Sequence, residues 1–267
     1  MFIALCSAKG APGVTTSGLA LALSWPQPVV LAELDPAGGD VLAGYGRGEV
    51  SAVGLADLEL AARRGGMARQ LDAQLLLLDA EGQARLLPGL ADPASARHVD
   101  WDRLAAVLAS IEDGAVDVLA DCGRLRAEHF PAAVLHRAAA VVVVTGSTLR
   151  AVRAAAHAIA ELREGDGRPG TLATLVVGPG EPYGEREISE ALGVPVIGSL
   201  PRDGKAAAVL SDGAPAGRLF AQSVLLRAAR TVASRFVESA AAHESRLTPP
   251  PTPLSASATA VGGSGVR

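Results

Sequence analysis

Short apolar runs separated by amphipathic stretches set the pattern of this 267-residue chain. The runs are nearly continuous rather than alternating, which is typical of strands buried on both faces of a parallel sheet. The pattern predicts seven strands, at residues 2–6, 29–33, 75–78, 116–120, 140–144, 172–177 and 194–197.

Apolar residues at helical spacing predict helices between these strands. Residues 101–112 place Leu104, Leu108 and Ile111 on one stripe, and Gly114 follows as a stop signal. One further predicted helix begins at about Thr15. The remaining predicted helices cover residues 149–164, 186–192 and 219–237. Alternation of strands and helices predicts an α/β fold, a doubly wound and mostly parallel sheet with helices on both faces.

Composition supports one large core, because 49% of the residues are hydrophobic and 19% are charged. From about residue 248 the sequence changes to TPPPTPLSASATAVGGSGVR, which has few large apolar side chains to bury. We therefore expect one domain over residues 1–246 and a disordered tail over residues 247–267.

Charge and cysteine usage narrow the class of protein. A formal net charge of −4 and 3% aromatic residues disfavour a strongly basic nucleic-acid surface and a base-stacking platform. The two cysteines, Cys6 and Cys122, are too few for a disulfide framework and are expected to be inert buried thiols in a reducing cytoplasm. No basic leader and no apolar run near 18 residues is evident, so neither a signal peptide nor a transmembrane segment is expected.

The stretch CSAKGAPGVTTSG, residues 6–18, has the layout of a phosphate-binding loop. Small residues follow a strand and lead into a helix, where backbone N–H groups and the helix dipole favour anions. Gly10 and Gly13 permit close approach of a phosphate, and Thr15 occupies the position that binds Mg²⁺ in such loops.

The same loop departs from the full phosphate-loop motif at three positions. Ala8 stands where the first glycine belongs, and Pro12 removes one N–H donor. Val14 stands where the motif places its lysine. Taken alone, this loop therefore does not match the phosphate-loop motif.

Acidic residues follow two other predicted strands, in ELDPAGGDV (residues 33–41) and VLADCGRL (residues 118–125). Carboxylates at the carboxyl ends of parallel strands lie at the edge where such sheets bind ligands. Asp121 could hold Mg²⁺ through water, and Asp35 could orient an attacking water. The alternative is that both residues cap turns after their strands.

Five segments in this order resemble landmarks of the MinD/ParA group of P-loop ATPases, over about residues 1–238. They are AKGAPGVTTSGLALAL, ELDPAGG, VDVLADCG, VVVVTGSTLRAVRAA and EALGVPVIGSLPRDGKAA. The resemblance implies an ATP-sandwiched homodimer in which an early lysine, matched by Lys9, reaches the partner's phosphates. It also implies that Asp35 serves the hydrolytic water and that residues 200–203 border the adenine.

The candidate site follows from the loop and the resemblance together. Lys9 and Asp35 are the candidate catalytic residues, and Thr15 and Asp121 are the candidate Mg²⁺ ligands. The candidate nucleotide-binding residues are Lys9, Gly10, Ala11, Gly13, Val14, Thr15, Thr16, Pro201 and Asp203. Val14 removes the general lysine, and Gly178 stands where many relatives carry an amide near the base, so ATP binding is expected to be weak or vestigial.

The degenerate loop is similar to TadZ/CpaE-type proteins of actinobacteria, which accompany Tad pilus and secretion ATPases. That resemblance implies a positioning or assembly factor with protein partners, cytoplasmic or peripheral at the membrane or cell pole. Two alternatives stay open. One is an active, slow Mg²⁺-ATPase switch. The other is a ParA-type partitioning protein that binds DNA through Arg227, Arg230 and Arg235, which the acidic composition disfavours.

Overall fold

One eight-stranded sheet forms the centre of the protein, seen in a computed structural model that describes residues 1–9, 13–64, 66–111, 116–165 and 170–247. The strand order is β3-β4-β2-β5-β1-β6-β7-β8, and all neighbours are parallel except the antiparallel pair β3–β4. The strands are β1 (Phe2–Ser7), β2 (Val29–Glu33), β3 (Leu76–Leu77), β4 (Ala84–Leu87), β5 (Asp117–Arg124), β6 (Ala140–Gly146), β7 (Thr171–Val177) and β8 (Val196–Leu200).

Helices cover both faces of this sheet, which confirms the predicted fold class. Within the described residues they are α1 (Val14–Ala22), α2 (Leu55–Arg63), α3 (Met67–Gln70), α4 (Trp101–Ile111), α5 (Ala132–Arg137), α6 (Leu149–Glu164), α7 (Glu185–Leu192), α8 (Gly204–Ser211) and α9 (Val224–Leu247). Side chains alternate across each strand, so Phe2 and Ala4 enter one core while Ile3 and Leu5 enter the other. The first core packs against α4 and α6, and the second packs against α1 and α9.

Several elements differ from the prediction. Strand β4 was not predicted, and neither were α2, α3, α5 and α8. Strand β5 extends past residue 120 to Arg124, because both of its neighbours continue to pair with it: Asp121 lies opposite Leu5 on β1 and Glu33 on β2. The final helix begins at Val224 rather than 219, after a 3-10 turn at Phe220–Gln222.

The tail prediction falls mostly outside the described residues. Helix α9 continues to Leu247, one residue past the expected domain boundary. Residues 248–267 are not described. Among the described helices, none combines the length and the apolar character that a membrane-spanning helix needs.

The topology fixes where a ligand site can lie. Strand β1 lies between β5 and β6, and the connections from β1 to β2 and from β5 to β6 run to opposite sides of the sheet. Open α/β sheets bind ligands at such a reversal, outside the carboxyl ends of the strands. The loop after β1, where Lys9 and Gly13 lie, is at this position.

Candidate functional site

The described end of the phosphate loop is an open helix N-terminus. Gly13 is the N-cap of α1 and adopts the left-handed conformation (φ 85°). Residues with a side chain rarely adopt this conformation, whereas glycine adopts it without steric cost. No side chain among the described residues caps this helix. The first-turn N–H groups are therefore oriented as in an anion-binding helix N-terminus. Gly10 and Ala11 of the predicted site, and Pro12, lie outside the described residues.

Val14 contributes to the core instead of supplying a charge. Its side chain is 7% exposed and belongs to the apolar cluster beneath α1 and α9. Thr15 and Thr16, the next two residues, are half-buried. The basic side chain that the loop itself offers to a phosphate is Lys9, which is exposed.

Thr15 and Asp121 form the polar centre of the site. Asp121 lies within β5, is 2% exposed, and accepts a hydrogen bond from the Gly123 N–H at 3.0 Å. The Thr15 hydroxyl lies close enough to Asp121 to lower the pKa of its carboxyl. The pKa of Asp121 is raised to about 7, mainly by burial; the Thr15 hydroxyl and the Gly123 N–H lower it, and the nearby carboxylates Asp35 and Glu33 raise it by smaller amounts.

Asp35 lies directly over the end of β5. A Cβ built on Gly123 would come within 2.0 Å of Asp35 Oδ2, so the carboxylate occupies the space that a side chain at 123 would fill. The Ala37 N–H donates to Asp35 Oδ1 at 2.8 Å, so Asp35 caps the turn that follows β2, which is the alternative role predicted for it from the sequence. Burial raises the pKa of Asp35, while Arg124 lowers it through charge attraction.

Glu33 is the acidic residue that the sequence analysis missed. It is 3% exposed, and its carboxylate accepts the N–H groups of Asp40 (2.7 Å), Val41 (2.8 Å) and Gly89 (3.2 Å). Burial is the main reason that its pKa is raised. Its signal in the sequence was a charged residue ending an otherwise apolar strand. Glu33 thus holds the loop that carries Asp35.

The oxygen donors at this end of the site suit a hard divalent cation. Thr15 supplies a hydroxyl, Asp121 a buried carboxylate, and Asp35 and Glu33 add negative charge nearby. Mg²⁺ is bound in proteins by one or two carboxylates together with phosphate and water oxygens. Within the described ranges no cluster of three or more His, Cys, Asp or Glu side chains forms a complete metal site. The donor set therefore fits an ion that shares its coordination with a ligand.

Basic residues line the other side of the loop. A cavity of about 420 Å³ lies between the loop and α6, and its cations are Lys9, Arg150 and Arg202. Arg202 lies flat across Gly178, since a Cβ built there would be 2.5 Å from Arg202 Nε. Arg202 Nε also lies 3.9 Å from Glu181 Oε2.

The turn at 200–203 presents a different residue from the two predicted. Asp203 caps α8 by accepting the Ala206 N–H at 3.1 Å, and Pro201 is half-buried beside it. The residue between them, Arg202, lines the cavity. The family resemblance concerns the turn as a whole and does not single out Arg202.

The two cysteines and the three arginines of α9 were also considered as candidate functional residues. Cys6 and Cys122 are buried and free, and burial raises the pKa of Cys6 to about 12, as expected of inert thiols. Arg227 and Arg230 are exposed on α9, whereas Arg235 donates to the Ile197 carbonyl at 3.3 Å.

Comparison with known proteins identifies the fold. No protein-family model and no curated protein matches the sequence. Among solved structures, the chain is similar to the septum site-determining protein MinD complexed with Mg-ADP from Pyrococcus horikoshii OT3 (20% identity, TM-score 0.70). The match covers 90% of this chain and 96% of that one.

Two further solved structures are similar to this chain in fold. One is MinD in the MinC:MinD cell division protein complex of Aquifex aeolicus, with 18% identity, a TM-score of 0.72, and coverage of 89% and 96%. The other is a ParA family ATPase from Chlorobium tepidum TLS, with 18% identity, a TM-score of 0.70, and coverage of 87% and 97%. The chain therefore has the fold of the MinD/ParA-type P-loop ATPases.

Proposed function

We propose that this chain is a MinD/ParA-type protein that binds ATP and Mg²⁺ weakly and acts as a positioning or assembly factor. The observation that carries the proposal is the closeness of the Thr15 hydroxyl to the buried Asp121 carboxyl, beside an uncapped helix N-terminus and a core position for Val14. In this proposal Thr15 and Asp121 form the metal side of the nucleotide site, and Val14 takes the place of the general lysine on its phosphate side.

Each residue has a defined part in this proposal. Thr15 and Asp121 would hold Mg²⁺, which supplies charge neutralisation for the phosphates when it is bound. Lys9 and the first-turn N–H groups of α1, after Gly13, would face the phosphates. Asp35 would hold a water, as its exposed edge and its fixed position over Gly123 allow.

The proposed partners follow from the same fold. The neighbour MinD is found in a complex with MinC, so we infer that this chain also binds protein partners. The homodimer is proposed from the resemblance of the loop sequence that contains Lys9. A role beside a membrane-associated Tad-type assembly, in the cytoplasm or at the cell pole, is part of the proposal and is supported by the resemblance in the loop sequence alone.

Calorimetry with ATP, ADP and Mg²⁺ tests the nucleotide site, with light scattering for mass. We expect weak, Mg²⁺-dependent binding by the wild type, tightened at least about tenfold by Val14→Lys through the restored charge. Val14→Met is the matched control, because it adds length without charge. Equal effects of the two substitutions, or no binding by any variant, would contradict the proposal.

An active ATPase is the second candidate, and the placement of Asp35 favours it. Asp35 lies beside Asp121 at the carboxyl ends of adjacent strands, where a water-orienting carboxylate belongs. Steady-state phosphate release with Mg²⁺ should then fall by about a hundredfold or more in Asp35→Asn. Turnover that is unchanged in Asp35→Asn would rule out this role for Asp35.

A further inference from the structure

A separate cleft lies beside the acidic centre and shares no lining residue with it. It has a volume of about 230 Å³ and lies between α2 and the 3-10 helix Pro93–His98, which follows β4. At about 30 Å³ per water molecule, that volume holds roughly eight waters or one small organic molecule. Leu90, one of its lining residues, accepts the Gly39 N–H at 2.9 Å, so the cleft adjoins the loop that carries Asp35.

Glu59 is the residue of this cleft that the rest of the fold leaves unexplained. It lies on α2, lines the cleft and is 9% exposed. Its Oε1 atom is buried and has no hydrogen-bond partner among the described residues. Burial raises the pKa of Glu59, whereas the N–H of Asp100 and the charges of Arg63 and Arg103 lower it. A buried carboxylate oxygen without a donor is costly, and a donor brought by a ligand would remove that cost.

Donors for an anion line the same cleft. Arg63 follows Glu59 by one turn on the same side of α2, is exposed, and forms no ion pair with another described residue. His98 accepts from Arg97 Nε through its Nε2 at 3.0 Å, which leaves Nδ1 as the N–H donor of the neutral ring. Arg63 and His98 therefore offer N–H groups of the kind that bind a carboxylate.

The remaining lining of the cleft is mainly apolar. Leu90 is buried and Val99 is half-buried, and both contribute to it. Leu60 is 49% exposed, although α2 buries its other two leucines, Leu55 and Leu58, completely. A ligand that covers Leu60 must bring an apolar group as well as its polar ones.

We propose that this cleft binds a small zwitterion with an apolar side chain, of the aliphatic amino-acid class. Its ammonium would donate to the unpartnered oxygen of Glu59, and its carboxylate would accept from Arg63. Its side chain would cover Leu60 and Leu90. A simple amine would leave Arg63 without a partner. A simple carboxylic acid would leave Glu59 without a donor and would be repelled by its charge.

Titration calorimetry with L-leucine tests this site without any nucleotide, so its outcome does not depend on the proposed ATP site. For a ligand of about nine non-hydrogen atoms we expect a dissociation constant of about 1 mM or tighter. Three analogues each lack one group: 4-methylpentanoic acid lacks the amine, 3-methylbutylamine lacks the carboxylate, and glycine lacks the side chain. Each analogue should bind the wild type at least about tenfold more weakly than leucine.

Matched variants assign the two charged ends. Glu59→Gln and Arg63→Gln should each weaken leucine at least about tenfold. The controls are Glu190→Gln, an exposed glutamate on α7, and Arg64→Gln, which is next to Arg63 but does not line the cleft. Each variant should keep the wild-type affinity for the analogue that lacks the group it recognises, 4-methylpentanoic acid for Glu59→Gln and 3-methylbutylamine for Arg63→Gln. A variant that had merely lost its structure would lose every ligand, and circular dichroism melting checks folding directly.

Three results would overturn the proposal. The first is no leucine binding by the wild type at about 10 mM, roughly ten times the expected dissociation constant. The second is 3-methylbutylamine or 4-methylpentanoic acid that binds as tightly as leucine, which would make the cleft a site for a simple amine or acid. The third is an equal loss of leucine affinity in the control variants and in the two cleft variants.

Discussion

Replacing Asp121 by Asn should stabilise the metal-free protein at pH 8. Asn keeps an oxygen that can accept from Thr15 and Gly123, and it removes a charge that burial disfavours. The folded-state pKa of Asp121 is about 7, above its ordinary value of 3.8. The protonated Asp121 carboxyl therefore contributes its full share to the stability of the folded state below pH 3.8, and this contribution is lost as the pH rises through 7.

The size of the effect follows from the same pKa. A difference of about three pKa units between the folded and unfolded states corresponds to about 4 kcal/mol, at 1.36 kcal/mol per unit. Asp35 and Glu33 contribute to that difference, so it should shrink when either is neutralised. The free energy of unfolding of Asp121→Asn relative to wild type should therefore rise by about 4 kcal/mol between pH 4 and pH 8.

Urea denaturation in buffer with a chelator measures this difference. Asp117→Asn is the matched control, because Asp117 is also 2% exposed on β5 but accepts from Trp25 Nε1 and Gln27 Nε2, each at 2.6 Å. That variant should be less stable than wild type at pH 8. A stability difference between wild type and Asp121→Asn that stays flat from pH 4 to 8 would refute the reasoning. Added Mg²⁺ should stabilise wild type and leave Asp121→Asn unchanged.

Two further predictions use the same geometry. Gly123→Ala should lower the free energy of unfolding by about 2–4 kcal/mol in urea, because it combines positive φ with displacement of a carboxylate. Gly48→Ala, with φ +80° and open space, should lose only about 1 kcal/mol. Glu33→Ala should speed amide hydrogen exchange in the loop that Glu33 holds, and unchanged exchange would contradict that role.

The central part of the fold could be predicted because its strands are buried on both faces. Strands such as β2 and β6 carry unbroken aliphatic runs, and α6 matches its predicted bounds with Thr148 as the N-cap. Strand β4 was missed because it reads ARLL and includes a half-exposed arginine. It forms a strand because it pairs with β2. That pairing is a tertiary contact, and the local sequence pattern does not reveal it.

The candidate site also has a part that the sequence could predict and a part that it could not. Val14 could be recognised as a departure because the loop motif fixes which residue type belongs there. The role of Glu33 could not be predicted, because its three donors lie in loops that close over it only in the folded chain. Arg202 was missed for a related reason: its contact with Gly178 joins two loops that are far apart in sequence.

The site is polarised from one side of the first loop to the other, and this bears on what it could bind. Carboxylates Glu33, Asp35 and Asp121 lie at the ends of β2 and β5, whereas Lys9 and Arg150 line the cavities on the β6 side. A ligand that carried charge of a single sign would be repelled at one end of this arrangement. A phosphate chain with its own bound cation presents the cation to the acids and its oxygens to the bases, so both ends are satisfied at once. This complementarity survives the loss of a lysine at Val14, which is why we expect weakened binding rather than none.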